Sequence, residues 1–186
     1  MNHATYNAIA AVLAYPETNY SQALAALQLA IPPVCDEYVA PVRSTIGSLT
    51  LQAQQELFTQ TFDLTPLCSL ELGWHLFGEN YERGLLLVRM REELRTAGIP
   101  EEAELPDHLT YALRLLPTMQ HERALDFAGA IVLPALMKML QAIGGKRNPY
   151  EGLLSAIALL LRTDFPEIDL PEIKVELPVL PQEVVL

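Results

Sequence analysis

The chain has 186 residues, of which 51% are hydrophobic and 19% charged; that length suits one domain, and that composition excludes a disordered chain. The 12 basic and 23 acidic side chains leave a formal charge of −11, a field that repels phosphate backbones and anionic lipid and so excludes nucleic acid as a partner. Such a field favours a cationic segment, for instance an arginine-containing peptide, although an acidic surface also serves solubility alone.

Tyr6, Ile9 and Leu13 share a helical stripe that the Tyr15-Pro16 step stops. Ser21 to Ala30 is rich in Ala, Leu and Gln, and Val34, Tyr38 and Val42 then allow a helix despite Pro41. Thr50 is the expected N-cap of a helix that turns Leu51, Phe58 and Phe62 inward. Pro66 suits the first turn of a helix running toward Trp74 and Phe77, closed by Gly78. Asn80 is the expected N-cap of a helix from Tyr81 to Ala97 with the stripe Leu86, Leu87, Met90 and Leu94, and Gly98 stops it.

After an exposed acidic connection from Pro100, Pro106-Asp107 opens a short helix through Leu109, Leu113 and Leu116, ended by Pro117. Ala124 to Ile143 is the most membrane-like stretch. Asp126, Pro134 and Lys138 interrupt it, so a buried core helix kinked at Pro134 is expected, with no membrane insertion. Gly144-Gly145 ends that helix, and Asn148-Pro149-Tyr150-Glu151 announces the next, through Leu153, Ile157, Leu160 and Leu161. The reading is an all-α, single-domain helical bundle of about eight helices over residues 1–163. Residues 164–186, with Pro166, Pro171, Pro178 and Pro181, form an extended Pro-rich acidic tail.

Enzyme chemistry finds no support. The four histidines, at 3, 75, 108 and 121, are scattered, and GxSxG, GxxxxGK and GxGxxG motifs are absent. Cys35 and Cys68 are too few for a disulfide framework, and Cys68 with His75 is too sparse a set for a metal. With no export signal at Met1-Asn2-His3, the expectation is a cytoplasmic protein with no catalytic residues, no metal and no cofactor. Two polar segments stand out from this hydrophobic chain, Trp74 to Gly84 and Glu104 to Leu109. Carboxylates beside aromatic rings suit an arginine-bearing peptide. The plainer reading makes Asp107 an N-cap, Trp74 and Phe77 core residues, and Glu82 and Arg83 a solvated first turn.

Glu104-Leu105-Pro106-Asp107-His108-Leu109 matches the ELPDHL signature, and Glu82-Arg83-Gly84 the ERG element, of the nitrate reductase assembly chaperones. These NarJ-type delta subunits are a branch of the redox-enzyme maturation chaperones that serve trimethylamine oxide and dimethyl sulfoxide reductases. Val12 to Pro16 also resembles the family's first helix ending in Tyr-Pro, and Phe62-Asp63-Leu64-Thr65 its FDLT turn. The likeness runs from about residue 9 to 116. It departs at Arg114, where members often carry glutamate, and at Thr110, where they carry proline.

The resemblance implies a non-catalytic chaperone whose partner is the immature catalytic subunit of a molybdoenzyme, gripped partly by its N-terminal leader peptide until cofactor is inserted. The implied peptide-binding residues are Tyr81, Glu82, Arg83, Glu104, Asp107 and His108, with Trp74 and Phe77. On this view Asp107 and Glu82 face a basic leader across a groove. A permanent subunit of a membrane redox complex, or a helical nucleotide-dependent enzyme, are the competing readings.

Overall fold

The structure, a computed structural model, describes residues 1–64 and 68–168. Among them no strand forms, and the all-α expectation is met by α1 (His3–Val12), α2 (Tyr20–Ala30), α3 (Pro33–Gly47), α4 (Leu51–Phe58), α5 (Leu72–Phe77), α6 (Tyr81–Ala97), α7 (Leu109–Leu115), α8 (His121–Phe127), α9 (Leu133–Ile143) and α10 (Tyr150–Asp164). Thr65, Pro66 and the segment 169–186, which holds most of the expected tail, lie outside the described residues.

Sequence explains which helices are central. α10 and α7 are apolar on nearly every side and are buried accordingly, from Tyr150 through Leu161 and from Leu109 through Leu115. α6 has one apolar stripe, and it buries only Leu86, Met90 and Leu94, leaving Arg89, Arg91, Glu92 and Arg95 in water. It is therefore peripheral, packed on α5 and α7. α1 packs on α2 and α7, and α10 on α3 and α9. Gly152 lets α10 and α3 approach until a Cβ built there would lie 2.1 Å from the Tyr38 carbonyl oxygen. Around the start of α10, Phe58, Phe62 and Tyr150 meet edge-on with centroids 4.8 to 6.1 Å apart.

Helix ends follow local chemistry at most expected places. Thr50 Oγ1 accepts from the Ala53 amide, Gly98 takes the left-handed conformation with φ 68°, and Asn148 Oδ1 accepts from the Tyr150 amide. α1 stops earlier than the Tyr15-Pro16 step, at Val12, with the Leu13 amide bonded to the Ile9 carbonyl. α7 ends at Leu115, before Pro117 as expected, and the chain adds one 3₁₀ turn, Leu116–Thr118, with the proline in its first positions, where no amide is needed.

Two π-turns were not expected. Thr59–Asp63 continues α4, and Ala128–Val132 joins α8 to α9 into one path over His121–Ile143. Pro134 sits just after the second; it has no amide to donate and its ring crowds the turn before it, which a widened turn relieves. The path His121–Ile143 is long and apolar enough to cross a membrane, yet it buries Ala124, Ala128, Val132, Leu133, Leu136 and Met139 in the core.

At its end α10 runs through Asp164, one residue past the expected boundary, because Asp164 Oδ2 accepts from Tyr6 Oη at 2.9 Å. Phe165 is fully buried, and the Ile168 side chain lies beside Gly129.

Candidate functional site

The residues just before the first polar segment are tied by backbone to the second. Leu72 donates its amide to the Asp107 carbonyl at 2.9 Å and Leu109 to the Leu70 carbonyl at 2.7 Å, an isolated antiparallel bridge between Glu71 and His108. α5 then runs to Gly78, whose φ of 59° and ψ of −132° suit glycine alone, and the chain reverses into α6 at Tyr81.

Asp107 lies at the centre of this junction. Its side chain is 0% exposed, and its Oδ2 accepts from the Gly73 amide and from Arg83 Nε, both at 3.1 Å. Arg83 also donates Nη2 to Glu71 Oε2 at 2.7 Å, and its Cζ stands 5.8 Å from the Trp74 ring centroid. Among the described residues Asp107 Oδ1 is buried with no donor. Asp107 therefore does not face a groove with Glu82, and it is not the N-cap. The cap is His108, whose Nδ1 accepts from the Thr110 amide at 3.4 Å and lies 2.7 Å from Thr110 Oγ1. The acidic connection from Pro100 to Glu104 is exposed as expected, and the chain goes inside at Pro106, where this carboxylate finds its partners.

The remaining expected residues divide by exposure. Tyr81 is 78% exposed, and Glu82 and Glu104 also face solvent, while Trp74 and Phe77 are half-buried at the edge of α5. Leu64, Leu85, Val88 and Leu105 are exposed apolar residues in the same part of the chain. Tyr81, Leu85 and Val88, at i, i+4 and i+7, make a solvent-facing stripe on α6.

Burial, followed by repulsion from Asp63 and Glu71, pushes the Glu104 carboxyl above its usual range. Burial lowers both His75 and His108, the latter to about 4. His75 donates Nε2–H to the Ser69 carbonyl at 2.6 Å, and its own carbonyl accepts from Lys138 Nζ. Cys68 is buried, and burial pushes its thiol up to about 11.

Glu71 and Gly73 were not singled out from sequence. Glycine inside a short helix was the available signal, since it marks close approach of another group. A Cβ at Gly73 would lie 2.6 Å from Asp107 Oδ2 and 3.0 Å from Arg83 Cγ. Replacing Asp107 by Asn is expected to strip the charge from this junction and cost about 3 kcal/mol of stability, the low end for breaking a buried pair, because Arg83 keeps Glu71. Chemical denaturation of the variant checks this; an unchanged midpoint would show that the pair does not hold the junction.

No family model matches the chain. Among curated proteins it is 26% identical over 125 residues to the probable nitrate reductase molybdenum cofactor assembly chaperone NarJ of Bacillus subtilis (strain 168), an alignment that covers 64% of this chain and 68% of that protein. The likeness bears out the resemblance carried by the ELPDHL and ERG elements: this chain is similar to the nitrate reductase molybdenum cofactor assembly chaperones.

Proposed function

We propose that the chain is a cytoplasmic, non-enzymatic assembly chaperone. It binds the immature catalytic subunit of a nitrate reductase-like molybdoenzyme, including its N-terminal leader, and supports cofactor insertion. Similarity to a protein named as such a chaperone supports the role. The observation that carries the peptide-binding part is the joining of the two motif segments at one place. There Tyr81, Glu82 and Glu104 are exposed beside the half-buried Trp74 and Phe77. In this reading Arg83, Asp107 and His108 hold the two segments in register, and the exposed carboxylates and rings meet the basic leader.

The test uses a synthetic peptide with the leader sequence of the host's nitrate reductase-like catalytic subunit, titrated into the wild type and into Glu82→Gln and Glu104→Gln. Each substitution is expected to weaken binding by about twofold to fivefold, as for partly solvated ion pairs, while circular dichroism stays unchanged. Equal affinity in all three proteins would remove this surface from consideration.

A permanent subunit of a membrane redox complex is the second reading, favoured by the length and apolarity of His121–Ile143. Tagged purification separates the two. A chaperone is retained on an immature catalytic subunit and is absent from the mature enzyme, whereas a subunit stays with the mature complex.

A further inference from the structure

Building on the peptide-holding reading above, we infer that Glu71, Asp107 and the Trp74 ring form a guanidinium pocket filled by the chain's own Arg83, and that an arginine of the bound peptide exchanges with it. The components are those that recognise a guanidinium: carboxylate oxygens at 2.7 and 3.1 Å and an aromatic ring 5.8 Å from Cζ. The occupant does not saturate the pocket. Arg83 gives Asp107 only Nε and spends Nη2 on Glu71, so Asp107 Oδ1 stays buried without a donor. A guanidinium carried by a separate peptide is free of the geometry of α6. It can therefore engage both oxygens of Asp107 in the two-pronged pairing that Arg83 does not make.

The turn that carries Arg83 is weakly tied. Gly78 precedes it in a conformation only glycine adopts readily, and the Asn80 side chain makes no capping bond to α6. Gly84 follows Arg83 directly, although a Cβ there would meet nothing within 4 Å, so packing does not explain a glycine at this helical position. The Asn80 amide bonds the Phe77 carbonyl at 3.2 Å and the Arg83 amide the Asn80 carbonyl at 3.1 Å, and the Arg83 ion pairs add side-chain ties from that turn to the body of the protein. Release of Arg83 thus frees Tyr81 and Glu82 together, and the surface that holds the peptide re-forms around the arriving arginine.

The experiment compares the leader peptide with a version in which every arginine is citrulline, its neutral near-isostere. Both are titrated into wild type, Arg83→Ala and Glu71→Gln. Trp74, the single tryptophan, reports by fluorescence. Emptying the pocket removes the competitor, so the preference for arginine over citrulline is expected to rise about tenfold in Arg83→Ala, while Glu71→Gln, which keeps the Arg83–Asp107 pair, lowers it several-fold. Millimolar methylguanidinium is expected to change Trp74 emission in Arg83→Ala and not in wild type, with methylammonium inert in both.

A preference that stays constant across the three proteins overturns the exchange while leaving the peptide reading intact. Absence of binding by either peptide to any of them removes both. Should Arg83→Ala not fold, Glu71→Gln decides alone: a lowered preference supports the exchange and an unchanged one ends it.

Discussion

Replacing Gly152 by alanine is expected to cost about 3 kcal/mol or more and to lower Tm by roughly 10 °C. The added Cβ would lie 2.1 Å from the carbonyl oxygen of Tyr38 and 3.2 Å from its carbonyl carbon. Both atoms belong to the backbone of α3, so no rotamer change relieves the clash; the two helices must separate. α10 has little room to do so, because Leu153, Leu154, Ala156, Ile157 and Ala158 are buried around it. Gly84→Ala is the internal control. With open space around its Cβ, it is expected to gain up to about 1 kcal/mol from helix propensity. Thermal melts of the two variants beside wild type check both; a wild-type melt for Gly152→Ala would mean that α3 and α10 do not cross so closely.

Acid is expected to destabilise the protein between pH 6.5 and about 4 through His108. Burial lowers its imidazole from 6.5 to about 4, so the native state keeps it neutral over a range in which the unfolded chain is already protonated. The unfolded state therefore binds the extra proton first. Stability from this group is complete above pH 6.5, declines as pH falls, and loses roughly 3 kcal/mol by pH 4, below which it changes no further.

Two neighbours modify the slope. His75 is lowered by the same cause and adds in the same direction, whereas Glu104, 3.9 Å from His108 Nε2 and raised in the fold, is relieved on protonation and offsets part of the loss. His108→Asn retains a capping acceptor for the Thr110 amide and removes the titration. Denaturant midpoints measured from pH 7.5 to 4 should fall less steeply for the variant; parallel profiles would place the acid sensitivity elsewhere.

Much of the helical plan was legible because helix ends are local chemistry. Thr50, Gly98, and Gly144 with Asn148-Pro149 each act within a few residues of the helix they bound, so a linear reading finds them, whereas Asn80 takes the cap position of α6 without a side-chain bond. The π-turns were not legible. A widened turn at Thr59–Asp63 or Ala128–Val132 depends on how that helix packs, and only Pro134 gave a hint, read as a kink.

The site divides in the same way. Its two segments and their exposed carboxylates could be picked out from sequence. The burial of Asp107 could not, because its partner Arg83 comes from the other segment, Gly73 lies just before that segment, and Arg83 is shared with Glu71. An aspartate before a helix is usually its cap, and here His108 has taken that position.

The edge-on cluster of Phe58, Phe62 and Tyr150 bears on how the molecule is made. At a synthesis rate of about 5–20 residues per second, Phe58 and Phe62 are made roughly 4–18 s before Tyr150 exists to cover them. Throughout that interval the growing chain presents an open aromatic face, and a ribosome that stalls before α10 releases a product that cannot close it. A protein proposed to shelter another's unfinished state thus passes through one of its own.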